Sequence, residues 1–416
     1  MSSGQNSEIP FTDMKRNISS VEALLSNGDV KVDDQDEDGM TALLQASYRG
    51  NVKIAQLLVN SGANVNWSKH KQGYTALMFG ALSGKIEIVE YLLSQGAKID
   101  LTNCLKRTAA EMASFVGNHF AAALINTHIG REEVLQFTKL DASSSSYLSP
   151  SLVDPLHCML INLNFSPVKV FLYLSSPLGK LLLHDFTNVV AALESLCGQH
   201  FTPQRTHEHI ALKLHLLSCT VKRAGEFLKT KKFEGENTEK PPSVLLEPLI
   251  KTFLRGVDPH GLTGGQESFL RKCLVSFPHS ESNLWRQIVT QVSQVEVGES
   301  PTALVILENA ISGLSPFARS AKGDASSSAV VHEPCATCAD LPGYGADIRP
   351  RWCSRCHEVA YCSVACQKLH WFTHKKYCPI LQEHHDSVAK SGPKTKPSDE
   401  EMSKIQGEIS SLLSSQ

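Results

Sequence analysis

Between Cys335 and Cys378 the chain reads CATCADLPGYGADIRPRWCSRCHEVAYCSVACQKLHWFTHKKYC, and no other stretch restricts the possible folds as much. Seven of the twelve cysteines fall in these 44 residues, spaced as Cys335 with Cys338, Cys353 with Cys356, Cys362 with Cys366, and His374 with Cys378. Thiolate and imidazole are preferred donors for zinc, and a C-x2-C turn aims two sulfurs at one ion. Eight such ligands specify two tetrahedral zinc ions. So short a segment cannot hold itself together with an apolar core, and metal takes the core's place. The competing reading is a disulfide framework. An odd cysteine number, and an N-terminal MSSGQNSEIPFTDM without the basic and apolar regions of a secretory signal, argue for a reducing compartment instead. Spacing alone leaves sequential and interleaved ligand pairing both open.

The two C-x2-C pairs, the element Tyr361 to Gln367 (YCSVACQ) and the closing Trp371 to Cys378 (WFTHKKYC) make this whole segment resemble the MYND zinc finger. The resemblance implies a cross-braced arrangement, with Cys335, Cys338, Cys362 and Cys366 on one ion and Cys353, Cys356, His374 and Cys378 on the other. His357 and His370 are then spectators. His370 rivals His374 for the histidine position, but the three residues between His374 and Cys378 match those between Cys362 and Cys366 and favour His374. The resemblance further implies that Gln367 and Trp371 border a groove for short proline-containing peptides. Trp371 fits a mini-core position against Tyr361 equally well.

A second pattern occupies the N-terminal third. Asp38 to Leu43 (DGMTAL) recurs 34 residues later as Gln72 to Leu77 (QGYTAL), and more weakly as Lys106 to Ala110. The second half of the unit repeats as well, Ala55 to Asn66 against Glu90 to Asp100, after a half unit at Val21 to Gly28. These residues resemble the ankyrin repeat, a unit of about 33 residues made of a turn and two helices. Thr41, Thr75 and Thr108 suit helix N-caps, Gly62 and Gly96 suit left-handed helix ends, and Ala46, Ala81 and Ala113 allow close helix pairing. Leu43, Leu57, Leu58, Leu77, Val89 and Leu92 form stripes that only a neighbouring repeat can bury. The stack is expected to end near Asn126. Its partner-facing residues are expected at Tyr48 and Arg49, Leu82 and Ser83, Phe115 and Val116, with Trp67 and Tyr74 at a tip between repeats. Trp67 is expected to be an exposed partner contact, although a fold back onto its own repeat is the alternative.

The middle reads as helical, with apolar residues at spacings of three and four in Leu152 to Leu163, Val189 to Leu196, His209 to Leu217, Val244 to Phe253, Phe269 to Phe277 and Val305 to Leu314. His207 and His209 are two apart, where a zinc-protease helix needs four, so that chemistry fails. Cys158, Cys197, Cys219 and Cys273 are too scattered for a motif and read as buried thiols. The richest apolar run, Val168 to Leu183, is interrupted and falls short of the ~20 residues that span a bilayer. The expected organisation is therefore a disordered N-terminus (1–15), ankyrin repeats (16–127), a helical central domain (128–317), a flexible linker (318–332), the finger (333–380) and a mostly disordered tail (381–416). The fold class is mainly α: an ankyrin solenoid plus a helical domain, with a small two-zinc finger.

Function follows by exclusion. No nucleophile, base and oxyanion set can be assembled, so an enzyme is not expected, although MYND fingers also occur inserted in lysine methyltransferases. In the finger, Arg349, Arg351, Arg355, Lys368, Lys375 and Lys376 face Asp340, Asp347 and Glu358, leaving a surplus of three. Seven thiolates around two dications cancel that surplus, so phosphate-driven nucleic-acid binding is not expected. With 40 basic against 42 acidic residues the whole chain gives no reason to expect an anionic partner. The expected partners are proteins and peptides, without membrane insertion or a small-molecule substrate. The order of parts resembles ankyrin repeat and MYND domain-containing proteins, which implies an adaptor that delivers receptors and cyclases to cilia. A transcriptional co-regulator is the alternative, so the expected location is cytoplasmic or ciliary with the nucleus left open.

Overall fold

The structure is a computed structural model that describes residues 18–26, 31–233, 245–255, 264–297, 299–312, 334–340 and 350–391. It is mainly α-helical and divides into two compact units, one of Met1–Leu254 with Thr263–Ala329, the other of Arg255–Leu262 with Val330–Gln416. The expected disordered N-terminus, the linker at 318–332 and most of the tail lie outside the described residues.

In the first unit, helix α1 (Ile18–Ser26) precedes three helix pairs: α2 (Ala42–Arg49) with α3 (Val52–Asn60), α4 (Ala76–Ser83) with α5 (Ile86–Ser94), and α6 (Ala109–Phe115) with α7 (His119–Asn126). Each pair opens on its threonine. The hydroxyls of Thr41, Thr75 and Thr108 accept from the amides of Leu44, Met78 and Glu111. Glu111 completes a capping box by accepting from the Thr108 amide at 2.8 Å. Leu43, Leu58, Leu77, Val89 and Leu92 are buried between pairs, and Ala46, Ala81 and Ala113 are buried where bulk would push the helices apart. Backbone bonds lace the tips together, from the Lys71 amide to the Asp38 carbonyl at 3.1 Å and from Cys104 to Gln72 at 3.0 Å. This lacing requires glycine at position 39, where φ is +80° and a Cβ would stand 2.8 Å from the Lys69 carbonyl oxygen.

The helical middle belongs to the same unit. It comprises α8 (Arg131–Leu135), α9 (Val153–Ile161), α10 (Pro167–Leu174), α11 (Lys180–His184), α12 (Phe186–Gln199), α13 (Glu208–Phe233), α14 (Glu247–Phe253), α15 (Gly264–Val275), α16 (Asn283–Ser293) and α17 (Ala303–Ser312). A two-residue hairpin, β1 (Phe201–Thr202) with β2 (Arg205–Thr206), leads into α13. Helices α10, α12, α15 and α16 all pack on α13. Ile210, Ala211, Leu212, Leu214, Leu217 and Val221 are buried along its N-terminal half, which neighbours cover on nearly every side, as expected of a central helix. Helices α8, α10, α11 and α16 were not among the expected segments. The apolar run containing α10 has no polar face from which to read a period, and α16 shows its stripe only through Ile288 and Val292.

Helix α17 closes the repeat stack. It packs on α7, and its last carbonyls are taken by repeat side chains: Asn126 Nδ2 donates to the Ile311 oxygen at 2.9 Å, while Ser114 Oγ donates to Ser312 at 3.5 Å. Leu304, Leu307 and Ile311 are buried there. A stack of amphipathic pairs must either present a polar last face or be covered, and here it is covered.

One buried charge stands out. Lys213 on α13 is fully buried, and its ammonium donates to the Leu160 carbonyl at 2.6 Å, in the last turn of α9. Burial pushes its pKa down to about 7. The unfolded chain keeps the proton up to the ordinary lysine range while the folded one loses it near 7, so folded stability rises with pH across that window and the opposing term is complete below it. Lys213→Met is expected to raise stability at pH 6.5 by on the order of 3 kcal/mol and to flatten this dependence, as read from urea midpoints between pH 6.5 and 9. Ile311→Ala is expected to cost about 3 kcal/mol and to leave the repeats and middle melting in one transition, as followed by calorimetry.

Candidate metal centre

The second unit starts as two knuckles. The Cys335 amide donates to Asp340 and the Cys353 amide to Val359, at 2.8 and 2.9 Å, so each C-x2-C turn folds over on its own backbone. The residue after each pair, Ala339 or His357, is left-handed with φ of 62° or 55°. Non-glycine residues occupy that region only under constraint, here the need to turn the chain under two sulfurs. Strands β3 (Arg351–Trp352) and β4 (Ala360–Tyr361) pair antiparallel across the second knuckle. Helix α18 (Val364–Ser391) follows and carries Cys366, His374 and Cys378. It runs through Pro379 to Ser391, so the tail expected from 381 onward is helical for its first turns. Leu381, Gln382 and Glu383 just after Pro379 are good helix formers, and the missing proline donor lies inside a helix already nucleated by the finger.

Eight donors converge in two groups: Cys335, Cys338, Cys362 and Cys366, and Cys353, Cys356, His374 and Cys378, all buried except the half-buried Cys362. In the first group Sγ to Sγ distances are 3.5 Å for Cys338 to Cys362, 3.5 Å for Cys362 to Cys366 and 3.9 Å for Cys366 to Cys338. In the second, Cys353 and Cys378 are 3.9 Å apart, and His374 Nε2 lies 3.3 Å from Cys353 and 3.6 Å from Cys356. Zinc bonds of about 2.3 Å to sulfur and 2.0 Å to nitrogen span tetrahedral edges of about 3.8 and 3.5 Å, which these separations match. The donor chemistry therefore fits two zinc ions, and the geometry shows the interleaved pairing.

His370 is no bystander in the packing. Its ring is buried, Nδ1 lies 3.1 Å from the Tyr361 hydroxyl, and burial, then the neighbouring His374, lowers its pKa to about 4. The neutral ring shares a hydrogen bond with the hydroxyl of Tyr361, which is itself buried, so this pair fills the mini-core position considered for Trp371. Trp371 stays 40% exposed, with its ring 5.8 Å from that of His374. Gln367, one turn earlier on α18, is half-buried.

On the repeats, Tyr48 and Phe115 are 58% and 75% exposed. Tyr48 meets Phe79 edge to face at 5.8 Å, and Phe79 in turn meets Tyr74 and His70. Tyr48 and Tyr74 were expected on this side of the repeats, whereas Phe79, which joins them into an aromatic row, was not. Arg49 is half-buried at the end of α2, and its carbonyl accepts from Lys85. Trp67 departs from the exposed tip expected of it. It is half-buried against the repeat core with a buried, unpartnered Nε1, so the fold-back alternative describes its place.

The first unit carries ankyrin repeats and the second a MYND finger, two protein-interaction modules. Residues 14–103 match the family described as ankyrin repeats, in three copies, and residues 335–378 match the MYND finger. The pair α6 and α7 continues the stack beyond the matched range. Among curated proteins, the Dauer abnormal formation protein 25 of Caenorhabditis elegans is similar over 352 residues at 26% identity, covering 84% of this chain and 84% of that protein. Purified protein is expected to hold two zinc ions per chain by elemental analysis, and Cys335→Ser or Cys353→Ser no more than one. Chelation is expected to unfold the finger, seen as loss of Tyr361 and His370 side-chain dispersion in NMR, and acid to release the metal as ligands protonate.

Proposed function

We propose that the protein is a non-catalytic adaptor that holds a client through its repeats and a peptide segment through its finger. The observation that carries this reading is the aromatic row from Tyr48 to Phe79 on the repeats, with Phe115 exposed on the third pair. Exposed aromatic side chains of this kind supply most of the binding energy in protein interfaces. On the finger, Trp371 offers a half-exposed indole face beside Gln367, a chemistry suited to stacking on proline rings. Two modest contacts on one chain raise the affinity for a partner that spans both. The resemblance of the whole architecture to ankyrin repeat and MYND domain-containing proteins supports clients among signalling proteins, receptors and cyclases, on their way to the cilium.

Proximity labelling in ciliated cells with the intact chain, a Tyr48→Ala/Phe115→Ala variant and a Cys362→Ser variant tests the reading. The first variant is expected to lose one set of partners by roughly tenfold or more, and the second a different, smaller set. A partner list dominated by chromatin proteins would replace trafficking with co-regulation. Identical lists for all three chains would remove the adaptor reading.

A further inference from the structure

Helix α13 carries His215 and Cys219 one turn apart, and α15 packs against that face with Cys273 and, just past its end, Ser276. Cysteines separated by more than fifty positions thus meet in the fold. His215 Nε2 donates to the Cys273 carbonyl at 2.9 Å and stands 3.5 Å from Cys219 Sγ and 3.2 Å from Ser276 Oγ. Cys219 Sγ lies 4.0 Å from Ser276 Oγ, on the face of α13 that α15 covers with Cys273. Access differs between the two thiols. Cys219 is partly exposed, with exposed Val275 and Ser276 alongside, whereas Cys273 is buried.

This grouping is not a metal site. The proton on His215 Nε2 is committed to a backbone carbonyl, and the three donors do not close into a ligand set as the finger's do. It has instead the parts of a thiol that reacts: a half-exposed sulfur, an imidazole nitrogen 3.5 Å from it, and a second thiol on the helix packed behind it. We infer that Cys219 is a peroxide-reactive modification site, with His215 and Ser276 as positioning residues and Cys273 as the resolving thiol. The Cys219 thiolate attacks one oxygen of a hydroperoxide; the S–O bond forms, the O–O bond breaks, and the departing oxygen leaves with a proton as water or alcohol. The Cys273 sulfur then attacks the sulfenic sulfur, forming S–S and breaking S–O. The departing hydroxide takes the Cys273 proton as a second water. Two thiols are oxidised and one peroxide is reduced, with no other electron source needed.

The electrostatics agree with this geometry. The Cys219 pKa is lowered to about 4, chiefly by the hydrogen bond with Cys273, against burial, and then by His215. That of Cys273 is pushed up by the same contact and by burial. His215 is raised despite burial, through Cys219 and then the Cys273 carbonyl and Glu194. Cys197 is the contrast. Its thiol donates to the Ala211 carbonyl at 3.3 Å, and burial, then the neighbouring Glu194 and Cys219, push it up to about 12.

Titrating zinc-loaded full-length protein with hydrogen peroxide at pH 7, then blocking free thiols and mapping peptides by mass spectrometry, tests the assignment. Cys104 and Cys158, both exposed, serve as internal standards. The expected first product is the Cys219–Cys273 cross-link, formed at least about tenfold faster than oxidation of either standard and before zinc is released. Cys273→Ser is expected to leave a Cys219 sulfenic acid that dimedone traps, and His215→Gln to slow Cys219 oxidation about fivefold or more. If Cys219 reacts no faster than the standards, or the wild-type chain forms no Cys219–Cys273 link, the assignment is wrong. That comparison lies within the wild-type chain, so it decides the matter even where a variant fails to fold.

Discussion

No helix pair in the N-terminal stack can bury its own apolar stripe. The Leu43, Leu77 and Leu92 side chains are dry only because another pair lies over them. That constraint propagates along the chain until something ends it. Here it is ended by α17, which lays Leu307 and Ile311 over the last pair and gives its own terminal carbonyls to Asn126 and Ser114. A helix nearly two hundred positions downstream thus completes the repeats, which is why repeats and middle form one compact unit. The same helix is gathered in from the other side: the Glu267 carboxylate accepts from the Ala303 amide at 2.8 Å while also pairing with Arg271.

The finger answers the same shortage of core differently. Two knuckles and a short hairpin enclose little beyond the Tyr361 and His370 pair, so metal must supply the cohesion. Its left-handed Ala339 and His357 show what the backbone accepts to aim four sulfurs inward. The surface left over is modest but chemically distinct, an indole and an amide on one helix face.

Much of this was legible in the residues, because the signals were local. A threonine before each first helix, glycines after the second, and cysteines at metal spacing each specify their own neighbourhood, and the structure places them accordingly. What could not be read was non-local. Nothing near Trp67 says that its ring folds onto the repeat core, and nothing near His370 says that Tyr361 is its partner. Cys158 and Cys219 were expected to be buried with Cys197 and Cys273, yet the first is exposed and the second half so. Apolar flanks mark a helix as packed without showing which of its faces is turned outward. The meeting of Cys219 with Cys273 depends on α15 crossing α13, which no spacing encodes.

Helix α18 sends Cys366 to one cluster and His374 with Cys378 to the other, while Thr337 in the first knuckle donates to the Cys366 carbonyl at 2.8 Å. The two ions therefore share one rod. Whichever is bound first has already ordered the helix that the other needs, and by linkage the help is equal in both directions. Metal occupancy of such a finger behaves as a nearly all-or-none quantity, so scarcity of zinc would divide the population into whole fingers and absent ones with few half-made forms between.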